Sequence, residues 1–136
     1  MIFADSGYLL ALFHRRDELH TRAQAWARTL NEPLIVTEYV LCECVDAFSR
    51  PSSRSTAHAL VDVVTSSDDF QVIGASPLLF QAGLKLHRER PDKAWSLTDC
   101  ISFRVMSERG ITRALAFDAH FEQAGFDAPL RRDPTA

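Results

Sequence analysis

The sequence predicts an α/β fold of three layers, with a central, mostly parallel five-stranded sheet between helices. Three observations predict it. Short apolar runs recur along the 136 residues, of strand length and too uniformly apolar for strands with a wet face. Helix-length segments with apolar residues three and four apart lie between them. Two of the runs end directly at an aspartate, Asp5 and Asp118, where open parallel sheets collect their ligands.

The elements follow in order. Ile2–Ala4 reads as a buried strand. Ser6–His14 carries Tyr8, Leu9, Leu12 and Phe13 at helical spacing, and Leu19–Leu30 places Ala23, Trp26, Ala27 and Leu30 on one helical face. Leu34–Val36 is a second strand, entered at Pro33. Thr37 caps a helix over Glu38–Ser49 that Pro51 stops, and Ser52 or Ser53 caps the next, to about Thr65. After the polar loop Ser66–Asp69 comes a third strand, Phe70–Ile73. Ser76-Pro77, a cap followed by proline at the first helical position, opens a helix reaching about Glu89. Ser96 caps a helix to Glu108, closed by Gly110. Thr112–Phe117 is a fourth strand, Ala119–Ala124 a short helix, and Asp127–Leu130 a fifth, edge strand. The last few residues are expected to fray. Residues 1–136 read as a single domain, with no internal repeat or linker.

Composition excludes several classes of function. No run reaches the roughly 18 apolar residues of a membrane span, and no basic segment precedes the apolar start as in a signal peptide. Three cysteines, Cys42, Cys44 and Cys100, make no secreted disulfide framework, so a reducing cytoplasm is expected and the cysteines read as small core residues. A net charge of -3 argues against a protein that depends on a broad basic field. It leaves room for a nuclease, whose carboxylates and arginines cancel in the sum. The arginines come in pairs, Arg15 with Arg16, Arg50 with Arg54, Arg88 with Arg90.

Four acids stand out. Asp5 and Asp118 follow strands, although each suits a helix N-cap equally. Glu43 lies in an apolar helix between two cysteines, on a polar stripe with Asp46 and Arg50; an ion pair closing that helix is the alternative. Asp99 opens a helix whose circumference is nearly all apolar, and a capping box with Ser96 explains it on structural grounds alone. If the fold gathers them, their mutual repulsion raises their pKa values unless a cation is present. Hard oxygen ligands suit Mg²⁺ or Mn²⁺, and a divalent ion that acidifies an attacking water is what phosphodiester hydrolysis needs.

Other chemistries lack their motifs. There is no P-loop, no GxGxxG after the first strand and no HExxH, and no GxSxG elbow. The Cys42-x-Cys44 pair has no second pair to complete a zinc site. Gly7 stands where a phosphatase of the haloacid-dehalogenase type needs a second aspartate, and a receiver would need adjacent acids near the N-terminus. His120, near Asp118, is either a phosphate contact or a surface histidine.

These residues resemble those of PIN domains, most closely the toxin ribonucleases of VapBC toxin–antitoxin pairs. The resemblance rests on Ile2-Phe3-Ala4-Asp5-Ser6, on Glu43 in the helix after the second strand, on Ser96-Leu97-Thr98-Asp99, and on Ala116-Phe117-Asp118-Ala119-His120-Phe121. It spans almost the whole chain. It implies a parallel sheet of order 3-2-1-4-5 and an endoribonuclease that uses Mg²⁺, with Mn²⁺ able to substitute, through Asp5, Glu43, Asp99 and Asp118. It also implies a homodimer, RNA as substrate, and inhibition by a small antitoxin protein. Asp92 is an outer acidic residue in similar proteins and is not assigned as a ligand. The competing expectation is a PIN-like RNA-processing or regulatory binding module with little cleavage of its own, docking through Leu9, Leu12, Trp26 and Leu30.

Overall fold

Ile2, Phe3 and Ala4 form β1 (Ile2–Ala4), and all three are fully shut off from solvent. A strand this apolar needs partners on both edges and cover on both faces. β2 (Leu34–Thr37) pairs with it on one side, and β4 (Ala114–Leu115) on the other. β3 (Phe70–Ile73) lies beyond β2, so the order is β3-β2-β1-β4 and every pairing is parallel. The protein's structure is a computed structural model that describes residues 1–135.

The crossovers supply the outer layers. α1 (Ser6–Phe13) and α2 (His20–Thr29) join β1 to β2, and α3 (Glu38–Ala47) and α4 (Arg54–Ser66) join β2 to β3. Both crossovers step the same way across the sheet, so the right-handed rule puts these four helices on one face; α1 accordingly touches α2, α3 and α4. α5 (Pro77–Glu89) and α6 (Leu97–Arg109) return from β3 to β4 and pair with each other. α7 (His120–Gln123) follows β4. No helix among the described residues is long and apolar enough to cross a membrane.

Caps fix where the helices begin. Thr37 Oγ1 accepts the Val40 N–H at 3.1 Å, Ser76 Oγ that of Leu79 at 3.1 Å, and Ser96 Oγ that of Asp99 at 3.0 Å. Each satisfies a donor that the first helical turn leaves without an intrahelical partner. Ser53 holds the cap position of α4 without a side-chain bond. Gly110 ends α6 at a φ of 67°, the left-handed conformation that glycine adopts without a Cβ penalty.

The structure corrects three expectations. The fifth strand, Asp127–Leu130, is reduced to a single bridge between Arg113 and Asp127, with Ala114 N–H to Asp127 O and Asp127 N–H to Thr112 O at 2.9 Å each. Pro129 has no N–H to continue the ladder, and the chain turns instead into a 3-10 helix at Pro129–Arg131. The fourth strand is shorter than Thr112–Phe117, because the Ala116 N–H turns back onto Ala114 O at 3.0 Å and takes the chain off the sheet. Cys42 is exposed, and only Cys44 and Cys100 lie in the core. At the C-terminal end, Trp26 Nε1 donates to Arg132 O at 2.8 Å and Arg22 pairs with Asp133 at 3.0 Å. The fraying expected at the chain end falls in part on residue 136, outside the described residues.

α5 and α6 approach closely at Gly83. A Cβ added there would sit 2.3 Å from Ile101 Cγ1 and 3.2 Å from the Ile101 backbone nitrogen. Gly83→Ala should therefore lower stability by about 1–3 kcal/mol through overpacking, although alanine is the better helix former by about 1 kcal/mol. Thermal unfolding checks this: a higher melting temperature would show that the two helices separate freely.

Candidate active site

Asp5 stands at the end of β1, where the chain leaves the sheet for α1. It occupies the N-cap position of α1 yet makes no side-chain capping bond, so capping does not explain its presence. Its residue is 4 % exposed. Burial pushes its carboxyl well above the usual 3.8, and the negative charges of Asp118, Asp99 and Glu43 push the same way, against a backbone hydrogen bond from Ser6. Four carboxylates from β1, α3, α6 and the segment after β4 thus feel one another at the carboxyl end of the sheet.

Glu43 reaches this place from the middle of α3. Its Oε1 is sealed from solvent with no hydrogen-bond partner, and among the described residues it has no ion pair. The ion-pair alternative is therefore not what the structure contains. Burial raises its carboxyl above the usual 4.5, the Asp99, Asp118 and Asp46 charges raise it further, and the Ser6 hydroxyl offsets part of this. Burial, Asp5 and Glu43 together push the neighbouring Cys44 thiol up to about 12, so it remains a neutral core group.

Asp99 does two things at once. Its Oδ2 accepts the Ser96 N–H at 3.1 Å, completing the capping box. The same oxygen lies 2.9 Å from His120 Nδ1, so an ionised Asp99 requires the proton on Nδ1. Oδ1 carries neither bond. Asp118 is exposed; Ala119 holds the N-cap position of α7 without a side-chain bond, and Asp118, one residue further out, does a cap's work, its Oδ1 accepting the His120 N–H at 3.0 Å and lying 3.7 Å from His120 Nδ1. One ligand atom from each of Asp99, Asp118 and His120 falls within 4.8 Å of the others. His120 is therefore a member of the cluster, a place that its spacing two residues after Asp118 hinted at without fixing.

Asp92 lies elsewhere in chemical terms. It is exposed and gripped by Arg90 through two bonds of 2.9 and 3.0 Å, which hold its carboxyl down at about 2. Trp95 ties the approach to α6 onto α7, its Nε1 donating to Gln123 Oε1 at 3.0 Å while its ring meets Phe103 edge-on at 5.0 Å. Phe103 in turn packs edge-on against Phe121 at 4.9 Å. These contacts hold the residues beside Asp99 and His120, and no local sequence signal marked Gln123.

The donor set fits a hard divalent cation. It offers carboxylate oxygens with one imidazole nearby, a buried carboxylate oxygen with no partner, and carboxyls whose repulsion a cation would relieve.

The fold has known counterparts. The PIN domain model matches residues 2–127, and the chain belongs to the PIN-domain family. A protein named 23S rRNA-specific endonuclease VapC20, from Mycobacterium tuberculosis strains CDC 1551 / Oshkosh and ATCC 25618 / H37Rv, is 32% identical over 128 residues, covering 93% of this chain and 95% of its own. The crystal structure of M. tuberculosis VapC20, described as a Sarcin-Ricin loop cleaving toxin, superposes with a TM-score of 0.86 at 25% identity, covering 93% of this chain and 96% of that one.

The raised carboxyls carry a sign for stability. Between the unfolded and the folded pKa of Asp5, the folded state keeps a proton that the unfolded state has lost, so this contribution weakens as pH rises through that window. In EDTA, Asp5→Asn should therefore melt above the native protein at neutral pH, with the gap closing as pH falls toward about 4. Thermal melts of both proteins across pH check this, and a native protein that is the more stable at neutral pH would contradict it.

Proposed function

We propose that this protein is a divalent-metal-dependent endoribonuclease in which Asp5, Glu43, Asp99 and Asp118 hold Mg²⁺, with Mn²⁺ able to substitute. The observation that carries the reading is Glu43 Oε1, buried and unpartnered, beside a buried Asp5 whose carboxyl is raised by burial and by the charges of Asp118, Asp99 and Glu43. Such an arrangement costs stability unless it serves a cation. Family membership and the endonuclease relatives support it.

When bound, the ion supplies Lewis acidity for an attacking water and for the phosphate oxygens. The protein's own groups prepare the place. The Ser96 N–H and His120 fix the Asp99 carboxylate through Oδ2, which would leave Oδ1 available to a bound ion. His120 also draws Asp118 toward Asp99 through its backbone N–H. Asp5 is held by the rigid edge of β1 and is too buried to swing away.

On the same reading the protein is the toxin of a toxin–antitoxin pair, working in the cytoplasm as a homodimer and neutralised by a small antitoxin protein. Relatives named for 23S rRNA make that RNA the first substrate to try. Leu78 and Phe80 in α5 remain exposed and offer apolar surface for a second copy.

The test is cleavage of 23S rRNA and of total RNA with Mg²⁺, with Mn²⁺ and with EDTA, followed by mapping of the new ends. The native protein should cut at discrete positions only with a divalent ion. Asp5→Asn and Asp99→Asn should fold and lose at least about 100-fold in rate, roughly two factors of ten at 1.4 kcal/mol each. His120→Ala should cost about 10–100-fold in metal affinity, the usual effect of losing a group that orients a ligand. Full cleavage by folded Asp5→Asn would overturn the assignment, and RNA binding without cleavage by the native protein would favour the binding-module reading.

A further inference from the structure

A cleft of about 890 Å³ opens at the far ends of α1 and α3, lined by Phe13, His14, Arg15, Arg16, Phe48 and Arg50 among others. It is separate from the carboxylate cluster, and its charge has the opposite sign. Among the described residues no carboxylate lies within salt-bridge distance of Arg15, Arg16 or Arg50. Arg22, Arg90, Arg104, Arg113, Arg131 and Arg132 have acidic partners, and the other arginines without one among the described residues, Arg28, Arg54, Arg88 and Arg109, do not line the cleft. In a chain with net charge -3, three unpaired guanidinium groups around one cavity form a local field that the overall charge conceals. Phe48 is buried and meets the His14 ring edge-on at 5.8 Å, so the cleft offers charge rather than stacking surface. Cationic side chains around a cleft suit the phosphodiester backbone of a single strand.

The cleft also lies at a useful distance. Ala47, in its wall, follows Glu43 by one helical turn on the same face of α3, about 6 Å along the axis. α1 begins beside Asp5 and ends at Phe13 in the cleft, about 12 Å of helix. A strand with one phosphate at the carboxylates can therefore lay a phosphate about two nucleotides away among the arginines, Arg50 lying seven residues beyond Glu43 and about 10 Å along the direction of α3. We propose that this cleft binds the phosphodiester backbone of the RNA substrate beside the scissile bond, with Arg15, Arg16 and Arg50 as its phosphate contacts. The inference rests on the ribonuclease reading and adds where the rest of the strand is held.

The experiment measures fluorescence anisotropy of a labelled single-stranded RNA about 12 nucleotides long against salt, in EDTA so that nothing is cut. It compares native protein with the triple variant Arg15→Ala/Arg16→Ala/Arg50→Ala. The control, Arg28→Ala/Arg88→Ala/Arg109→Ala, removes the same charge from exposed positions away from the cleft. The cleft variant should bind at least about tenfold more weakly at low salt and lose about two from the slope of log affinity on log salt, near 0.7 per phosphate contact. The control should match the native protein. If the triple variant does not fold, Arg15→Gln/Arg16→Gln carries the test with a slope loss of about 1.4. Equal effects in cleft and control variants, or no effect in the cleft variant, overturn the proposal. Mn²⁺-dependent cleavage by the native protein in a parallel assay separates the two readings. Cleavage with an indifferent cleft sinks only this inference, and cleft-dependent binding without cleavage sinks the nuclease assignment and, with it, the place of the cleft beside a scissile bond.

Discussion

Like charges brought together without a counter-ion push the molecule apart, and this structure sets Asp99 and Asp118 side by side at one end of its sheet, with Asp5 and Glu43 near enough for their charges to act on one another. Asp5 is the most constrained of them. It is buried, fixed by the β1 edge, and repelled by Asp118, Asp99 and Glu43. Hydrophobic packing opposes that repulsion. β1 is wholly buried between two helical layers, and the aromatic contacts from Trp95 through Phe103 to Phe121 hold α6 against α7 directly beside the acids. The site depends on the core for its geometry, and the core tolerates the site because so few of its positions are charged.

The same economy governs the individual residues. The capping box of Ser96 and Asp99 is an ordinary helix start, yet it also sets the direction in which Asp99 faces. The short α7 follows the departure of the chain from β4, and it carries His120 to within 2.9 Å of Asp99. Asp99 and His120 are placed by local rules that would operate without any function, whereas Asp5, which caps nothing, and Glu43, whose Oε1 has no partner, are not explained by them.

That distinction explains how much was legible in the sequence. The caps at Thr37, Ser76 and Ser96, the stop at Gly110 and the buried strand at Ile2–Ala4 are local signals and could be read directly. The four acids could be singled out because each sits at a strand end or in an apolar helix. The lost fifth strand could not, since Asp127–Leu130 is short and apolar enough, and what undoes it is the missing N–H of Pro129 at an edge with one bridge to spare. Exposed Cys42 was misread because its neighbours are apolar while the face it occupies is not. The Trp95–Gln123 bond and the cleft among Arg15, Arg16 and Arg50 join segments distant in sequence, and no spacing rule reports them. The PIN-domain resemblance supplied the convergence of the acids that periodicity alone could not.

The central claim is that the crowded carboxylates are built for a divalent ion. A cation that binds them competes with the protons that burial and repulsion favour on Asp5 and Glu43, so binding and proton release are linked. Calorimetric titration of Mn²⁺ into the native protein at about pH 6, in two buffers of different ionisation enthalpy, measures both together. The account predicts saturable binding with a buffer-dependent heat that reports protons released. Binding with no proton release, or no binding at all, would contradict it.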